Sequence, residues 1–179
     1  MKINNNINMK NVVLLSLCYL LCAAFTTAKF DQHKDKEMIN ATLDAWHKAA
    51  ADAKSDIYFN FMTEDAVFIG TDATENWSKA EFQAYAKPYF DKGKAWSFIP
   101  LERHIYFDKT GNTAWFDELL STQMKICRGS GVLVKIGQEW KIKHYVLSIA
   151  VPNDNVGEVV KVKAAIEDAF LLNLQKGER

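Results

Sequence analysis

The chain has 179 residues, close to half of them apolar and a quarter charged. That is ordinary composition for one globular domain with a sizeable core. Twenty-two basic residues balance 22 acidic ones, and this neutrality argues against a dedicated nucleic-acid binder, which carries a basic face.

The first segment differs from the rest. Met1–Lys10 holds Lys2 and Lys10 and no acid, Val12–Phe25 is apolar and uncharged, and Thr26-Thr27-Ala28 follows with small residues. This is the three-part layout of a secretory signal peptide. The apolar run is short for a membrane span of about 20 residues. An uncleaved anchor is one alternative. Lipidation is another, since Cys18 and Cys22 lie in the run, but Leu17 and Leu21 stand where a lipobox wants a small residue. Cleavage after Ala28 leaves 20 basic and 22 acidic residues, a net charge of −2. The product is expected in the periplasm or outside the cell, with no membrane association. Cys127 is then the sole cysteine, so no internal disulfide forms and stability must come from the core. Its place at the end of an alternating strand, beside Arg128 and Gly129, reads as packed rather than catalytic.

Residues 29–36 are polar and lead into the domain. Glu37–Ala51 reads as a helix because Ile39, Leu43, Trp46 and Ala50 recur at helical spacing. Ser55–Met62 reads as a second, shorter helix. Ala66–Gly70 is a short strand and Gly70–Asn76 a turn. Ser78 and Glu81 form a capping box for a helix that runs to about Phe90, with Pro88 near its end. Trp96–Asp108 is a long strand in which Pro100 marks a bulge or an edge. Lys109–Asn112 turns it into Thr113–Cys127, Arg128–Gly131 turns that into Val132–Ile136, and Gly137-Gln138 turns again into Trp140–Val151. Short turns between successive strands predict an antiparallel meander. Val156–Gln175 is an amphipathic helix with Val159, Val162, Ile166 and Phe170 on one stripe. The expected architecture is α+β: a cone-shaped, curved antiparallel sheet wrapped by N-terminal helices, with an extra C-terminal helix. The boundaries are 1–28 for the leader, 29–36 for the lead-in, 37–153 for the domain and 154–179 for the last helix.

From Glu37 to Asn153 the chain resembles the SnoaL-like branch of the nuclear transport factor 2-like superfamily. The carriers are Thr63–Gly70, Ala114-Trp115-Phe116, Gly129–Leu133 and Trp140–Ser148. The last run is also similar to the end of the association domain of calcium/calmodulin-dependent kinases. The resemblance implies a cone with one pocket, but not an activity, since the superfamily includes isomerases, cyclases, dehydratases and assembly modules. In its ketosteroid isomerases an aspartate base ends the first strand and a first-helix tyrosine holds the oxyanion. Gly70 and Trp46 occupy those positions here, and Asp72 lies two residues beyond the first, so the isomerase set is not carried over.

Strand alternation sorts the remaining candidates. Trp115, Asp117, Leu119 and Ser121 share one face, and Phe116, Glu118 and Leu120 the other. Even positions from Trp140 to Ser148 share a face that includes His144. Arg103 lies with Ile99, Leu101 and Ile105. The acid–base candidates are Asp117, His144 and Asp72. The ligand-binding candidates are Trp46, Tyr58, Phe68, Trp96, Arg103, Trp115 and Ser148, with Arg103 suited to a carboxylate. The four histidines show no metal-ligand spacing, and no cofactor motif is present. The expected function is binding of a small apolar or carboxylic molecule by an exported homodimer. An isomerase- or dehydratase-type enzyme and an oligomeric assembly module are the alternatives.

Overall fold

The computed structural model describes residues 30–177. The expected leader, with Cys18 and Cys22, lies outside the described residues. Helix α1 spans Gln32–Ala51 and α2 spans Ser55–Asn60. Strand β1 (Met62–Ile69) and the short β2 (Asn76–Ser78) form a hairpin. Helix α3 spans Lys79–Asp91. Strands β3 (Ile99–Phe107), β4 (Thr113–Thr122), β5 (Lys125–Ile136) and β6 (Glu139–Ile149) follow. A 3-10 turn at Asn153–Asn155 leads into α4, Val156–Gln175.

The strands form one curved, open six-stranded sheet in the order β2-β1-β6-β5-β4-β3. The α+β architecture matches the expectation, with one difference in the sheet. β1 pairs in parallel with β6, and all other pairs are antiparallel. A parallel pair needs a crossover connection. Here α3 and the β3–β6 meander supply it, returning the chain beside its first strand.

The helical spacing read from the sequence is what packs. Ile39, Leu43, Trp46 and Ala50 of α1 are all buried. In α3, Phe82, Ala86 and Phe90 are buried at spacing i, i+4, i+8. The capping box is formed as expected: the Glu81 amide donates to Ser78 Oγ, and Glu81 Oε2 accepts from the Ser78 amide at 2.8 Å. That leaves fewer unsatisfied amides at the helix start. Pro100 is both things the sequence allowed: β3 is an edge strand, and its register shifts between Pro100 and Glu102.

Several boundaries differ from the sequence reading: α1 starts at Gln32 rather than Glu37, α2 ends at Asn60 rather than Met62, β1 starts at Met62 rather than Ala66, and β3 at Ile99 rather than Trp96. Two further differences concern the sheet. Arg128–Gly131 is not a turn but lies within β5. The β4–β5 turn is at Gln123-Met124, closed by the Met124 amide donating to Thr122 Oγ1 at 2.9 Å. Lys125 supplies its left-handed residue, with φ of 70°, a conformation that glycine usually takes. The glycines instead allow close packing, because a Cβ on Gly129 would lie 2.3 Å from Tyr145 Oη. Second, β6 bulges against Val132-Leu133, which pair with His144 and Ile142 and skip Lys143. The side-chain alternation therefore changes phase within the strand. Trp140 and Ile142 are buried before the bulge, and Tyr145 and Leu147 after it. His144 consequently shares no face with Ile142.

Helix α4 forms over the expected residues, yet none of them is buried. Val160, Val162, Ile166, Leu171 and Leu172 are exposed.

Candidate functional site

The concave face of the sheet carries Ile105, Phe116, Glu118, Leu120, Cys127, Tyr145 and Leu147, all buried. One charged residue sits at its centre. Glu118 of β4 has no solvent exposure, and every one of its close polar partners is a side chain from another element. Oε1 accepts from His47 Nε2 of α1 at 2.8 Å and from the Tyr145 hydroxyl at 3.2 Å. Oε2 accepts from Arg103 Nε at 2.9 Å. The Arg103 Nη2 atom lies 2.8 Å from the same carboxylate but outside hydrogen-bonding geometry, so its pairing is electrostatic. Nη1 reaches back to α1, to Asp44 Oδ1 at 2.9 Å and Asn40 Oδ1 at 3.1 Å.

Burial pushes the Glu118 carboxyl up, but the hydrogen bond from His47 and the charges of His47 and Arg103 outweigh it and hold it below its ordinary value. Burial pushes the Tyr145 phenol well above its ordinary value, and the Glu118 charge adds to this. Tyr145 therefore keeps its proton and donates it. The cluster ties α1 to β3, β4 and β6 through a satisfied buried network. A second tie lies at the start of α1. Asp35 accepts from Lys135 Nζ at 2.6 Å and from Trp140 Nε1 at 2.9 Å.

Above this cluster lies an open cleft of about 170 Å³. Its walls are the rings of Phe68, Trp77, Phe82, Tyr85, Trp96 and Phe98. Gly70 and Glu75 of the β1–β2 hairpin and Gln123 of the β4–β5 turn complete its edge. The rings are ordered by mutual stacking. Phe68 lies on Phe82 at 3.8 Å, Trp77 on Tyr85 at 4.5 Å, and Phe82 on Trp96 at 5.7 Å. Two of them divide the cleft from the ion cluster. Phe98 meets the His47 ring edge-on at 6.0 Å, and Phe68 stacks over Tyr145 at 5.5 Å. The volume is of the order of the ~150 Å³ apolar cavity that accepts a benzene ring.

The candidate residues read from the sequence are distributed over five places. Phe68 and Trp96 line the cleft. Trp46 and Tyr58 are buried beneath it, stacked on one another at 5.0 Å. The Trp46 Nε1–H finds no acceptor, and its ring meets Tyr145 edge-on at 4.8 Å. Arg103 is held in the Glu118 cluster and does not line the cleft. Asp117, Trp115, His144 and Ser148 lie on the convex face. There Asp117 pairs with His104 at 3.1 Å and Trp115 stacks on Tyr106 at 6.0 Å. Asp72 is exposed in the β1–β2 loop, where its Oδ1 accepts from the Thr74 amide and hydroxyl. The hydrogen bonds from Thr74 hold its carboxyl below its ordinary value. The three acid–base candidates are thus not brought together. No group of metal-ligating side chains occurs among the described residues.

Sequence reasoning missed His47 and Glu118 as partners, and it read Glu75 as part of the turn at the pocket mouth rather than as a ligand-contacting residue. The opposite faces of Asp117 and Glu118 were legible, but which face was concave was not. Gly129 was a usable signal, since a glycine inside a strand marks a close approach.

Comparison with known proteins agrees with this geometry. A protein of unknown function from Pseudomonas putida KT2440, described as NTF2-like, superposes with a TM-score of 0.58 at 13% identity, covering 70% of this chain and 93% of its own. A candidate dehydratase of the NTF2-like family from Streptomyces avermitilis gives 0.58 at 12% identity, over 68% of this chain and 100% of its own. A candidate calcium/calmodulin-dependent kinase II association domain from Exiguobacterium sibiricum gives 0.50 at 14% identity, over 66% and 95%. At these identities the likeness is one of fold. No curated protein matches the sequence. The family model for the SnoaL-like domain matches residues 39–152, from the first buried residue of the α1 stripe to the end of the sheet, and the chain belongs to the SnoaL-like family.

Proposed function

We propose that this SnoaL-like domain binds a small ring-bearing molecule in the aromatic cleft and does not transform it. The observation that carries the reading is the separation of the two polar and apolar halves of the concave face. The strongest titratable cluster, His47–Glu118–Arg103, is closed off by Phe98 and Phe68 and fully engaged in tying α1 to the sheet. The cleft itself offers ring faces with few polar groups at its edge, the usual make-up of a binding pocket. The acid–base alternative rests on Asp117, His144 and Asp72, none of which lines the cleft.

Export through the N-terminal leader belongs to the same proposal. So does homodimer formation, which the exposed Ile99, Tyr106, Trp115 and Ile126 on the convex face support. Exposed apolar side chains on one sheet face favour association.

The test is a fluorescence titration with single-ring compounds, using the native tryptophan emission of the cleft. Saturable quenching that Trp96→Ala abolishes is the expected result. Quenching that survives Trp96→Ala, or none with any ring compound, overturns the assignment.

A further inference from the structure

We propose that the cleft selects an organic cation, an aromatic amine or ammonium compound, with Glu75 as its counter-charge. This deepens the binding assignment above and rests on it.

The charge at the cleft is one-sided. Among the described residues no Lys, Arg or His side chain lines it, and Glu75 is the charged residue that does. Arg103, the residue expected to take a carboxylate, is spent on Glu118 and Asp44 behind the ring wall. A carboxylic ligand would therefore meet an unpaired carboxylate and no cation.

Glu75 is positioned by its own backbone. Its amide donates to the Asp72 carbonyl at 3.0 Å, and its carbonyl accepts from the Gly70 amide at 3.0 Å. Its side chain folds back over the hairpin, where Oε2 accepts from the Asp72 amide at 3.1 Å. Gly70 makes room for this. A Cβ at position 70 would lie 2.1 Å from Glu75 Oε2 and 2.9 Å from its Cδ. The missing side chain of one cleft residue is thus replaced by the carboxylate of another. One carboxylate oxygen is held by the backbone, and among the described residues no protein donor engages Oε1.

The walls suit the same ligand. Trp77 lies within 9° of parallel to Phe82, and Phe82 within 24° of Trp96, so their π-faces act together. Tryptophan and tyrosine faces attract cations, and a carboxylate beside them completes the recognition. The hydrogen bond with Tyr89, burial, and neighbouring negative charge that includes Glu75 push the Tyr85 phenol up to about 12. Tyr85 thus stays neutral, and a cation entering the cleft meets Glu75 as its counter-ion.

Three ring compounds of matched size test this: 2-phenylethylammonium, 2-phenylethanol and phenylacetate, titrated at pH 7 against the full chain by tryptophan fluorescence. The expected order is cation, then alcohol, then carboxylate, with the cation about tenfold tighter than the alcohol. Glu75→Gln, nearly isosteric, is expected to shrink that preference below about threefold. Gly70→Ala keeps the charge but displaces the carboxylate and is expected to act in the same direction. Equal binding of all three compounds overturns the cation inference and leaves the cleft reading standing. Tighter binding of phenylacetate overturns it as well. Absence of binding by all three overturns both.

Discussion

The Tyr145 hydroxyl lies 2.3 Å from the point at which a Cβ on Gly129 would sit, and Glu118 Oε1 lies 3.0 Å from the same point. Both groups belong to the buried network, so the absence of a side chain at position 129 is what lets Tyr145 reach Glu118. Gly129→Ala must push one of them aside, and overpacking of this kind typically costs 1–3 kcal/mol. Gly157, in the first turn of α4, has nothing within 4 Å of its Cβ position. Gly157→Ala is expected to be neutral or to stabilise by up to about 1 kcal/mol. Paired denaturant melts check the contrast.

Removing one partner of a buried ion cluster leaves the others uncompensated. Glu118→Ala strands His47 and Arg103, and such losses run to roughly 3–5 kcal/mol. Exchanging the exposed pair Lys87–Asp91 for alanines changes stability by less than about 1 kcal/mol. Thermal melting should show a large fall for the first and almost none for the second.

Acid sensitivity follows from the same groups. Glu118 and Asp35 both have folded carboxyls held below their ordinary values of 4.5 and 3.8. For Asp35, burial raises the value, and the bonds from Lys135 and Trp140 lower it further. Groups of this kind contribute stability that is fully present above the unfolded value and lost as pH falls through the folded one. Stability is therefore expected to decline below about pH 4.5. Denaturation midpoints at pH 6, 4 and 3 should fall less steeply for Glu118→Gln than for the native chain. Identical slopes would place the acid sensitivity elsewhere.

The convex-face residues separate binding from acid–base chemistry. Asp117→Asn and His144→Ala are expected to leave ring-compound affinity in the cleft within twofold of the native value. Loss of a ligand-transforming activity in either variant would favour the enzyme alternative instead. Activity assays on the pair of variants, alongside titrations, check this.

Much of the fold was legible because it depends on periodicity and caps. The α1 stripe, the Ser78–Glu81 box and the α4 boundaries come from local rules. The errors arose where tertiary packing overrode local signals. Gly129 and Gly131 resemble turn residues, yet they serve close packing inside β5, while Lys125 takes the left-handed position at the real turn. The bulge that skips Lys143 pairs residues on separate strands, so no alternation count within β6 could locate it. It turned His144 outward. Glu118 was indistinguishable from Asp117 until the direction of sheet curvature was known. Phe68 and Trp96 were legible as cleft residues; Glu75 was legible only as part of the turn at the pocket mouth, since the hairpin geometry is what folds its carboxylate over Gly70.

The most direct test of the central claim is native mass spectrometry of the protein purified from its own host, with Trp96→Ala prepared in parallel. The account predicts a small organic adduct on the native chain that is released unchanged on denaturation and is absent from Trp96→Ala. It also predicts that the released compound, added back in excess, is recovered intact. A bare native chain, or a compound consumed on return to the protein, would contradict binding without turnover in the aromatic cleft.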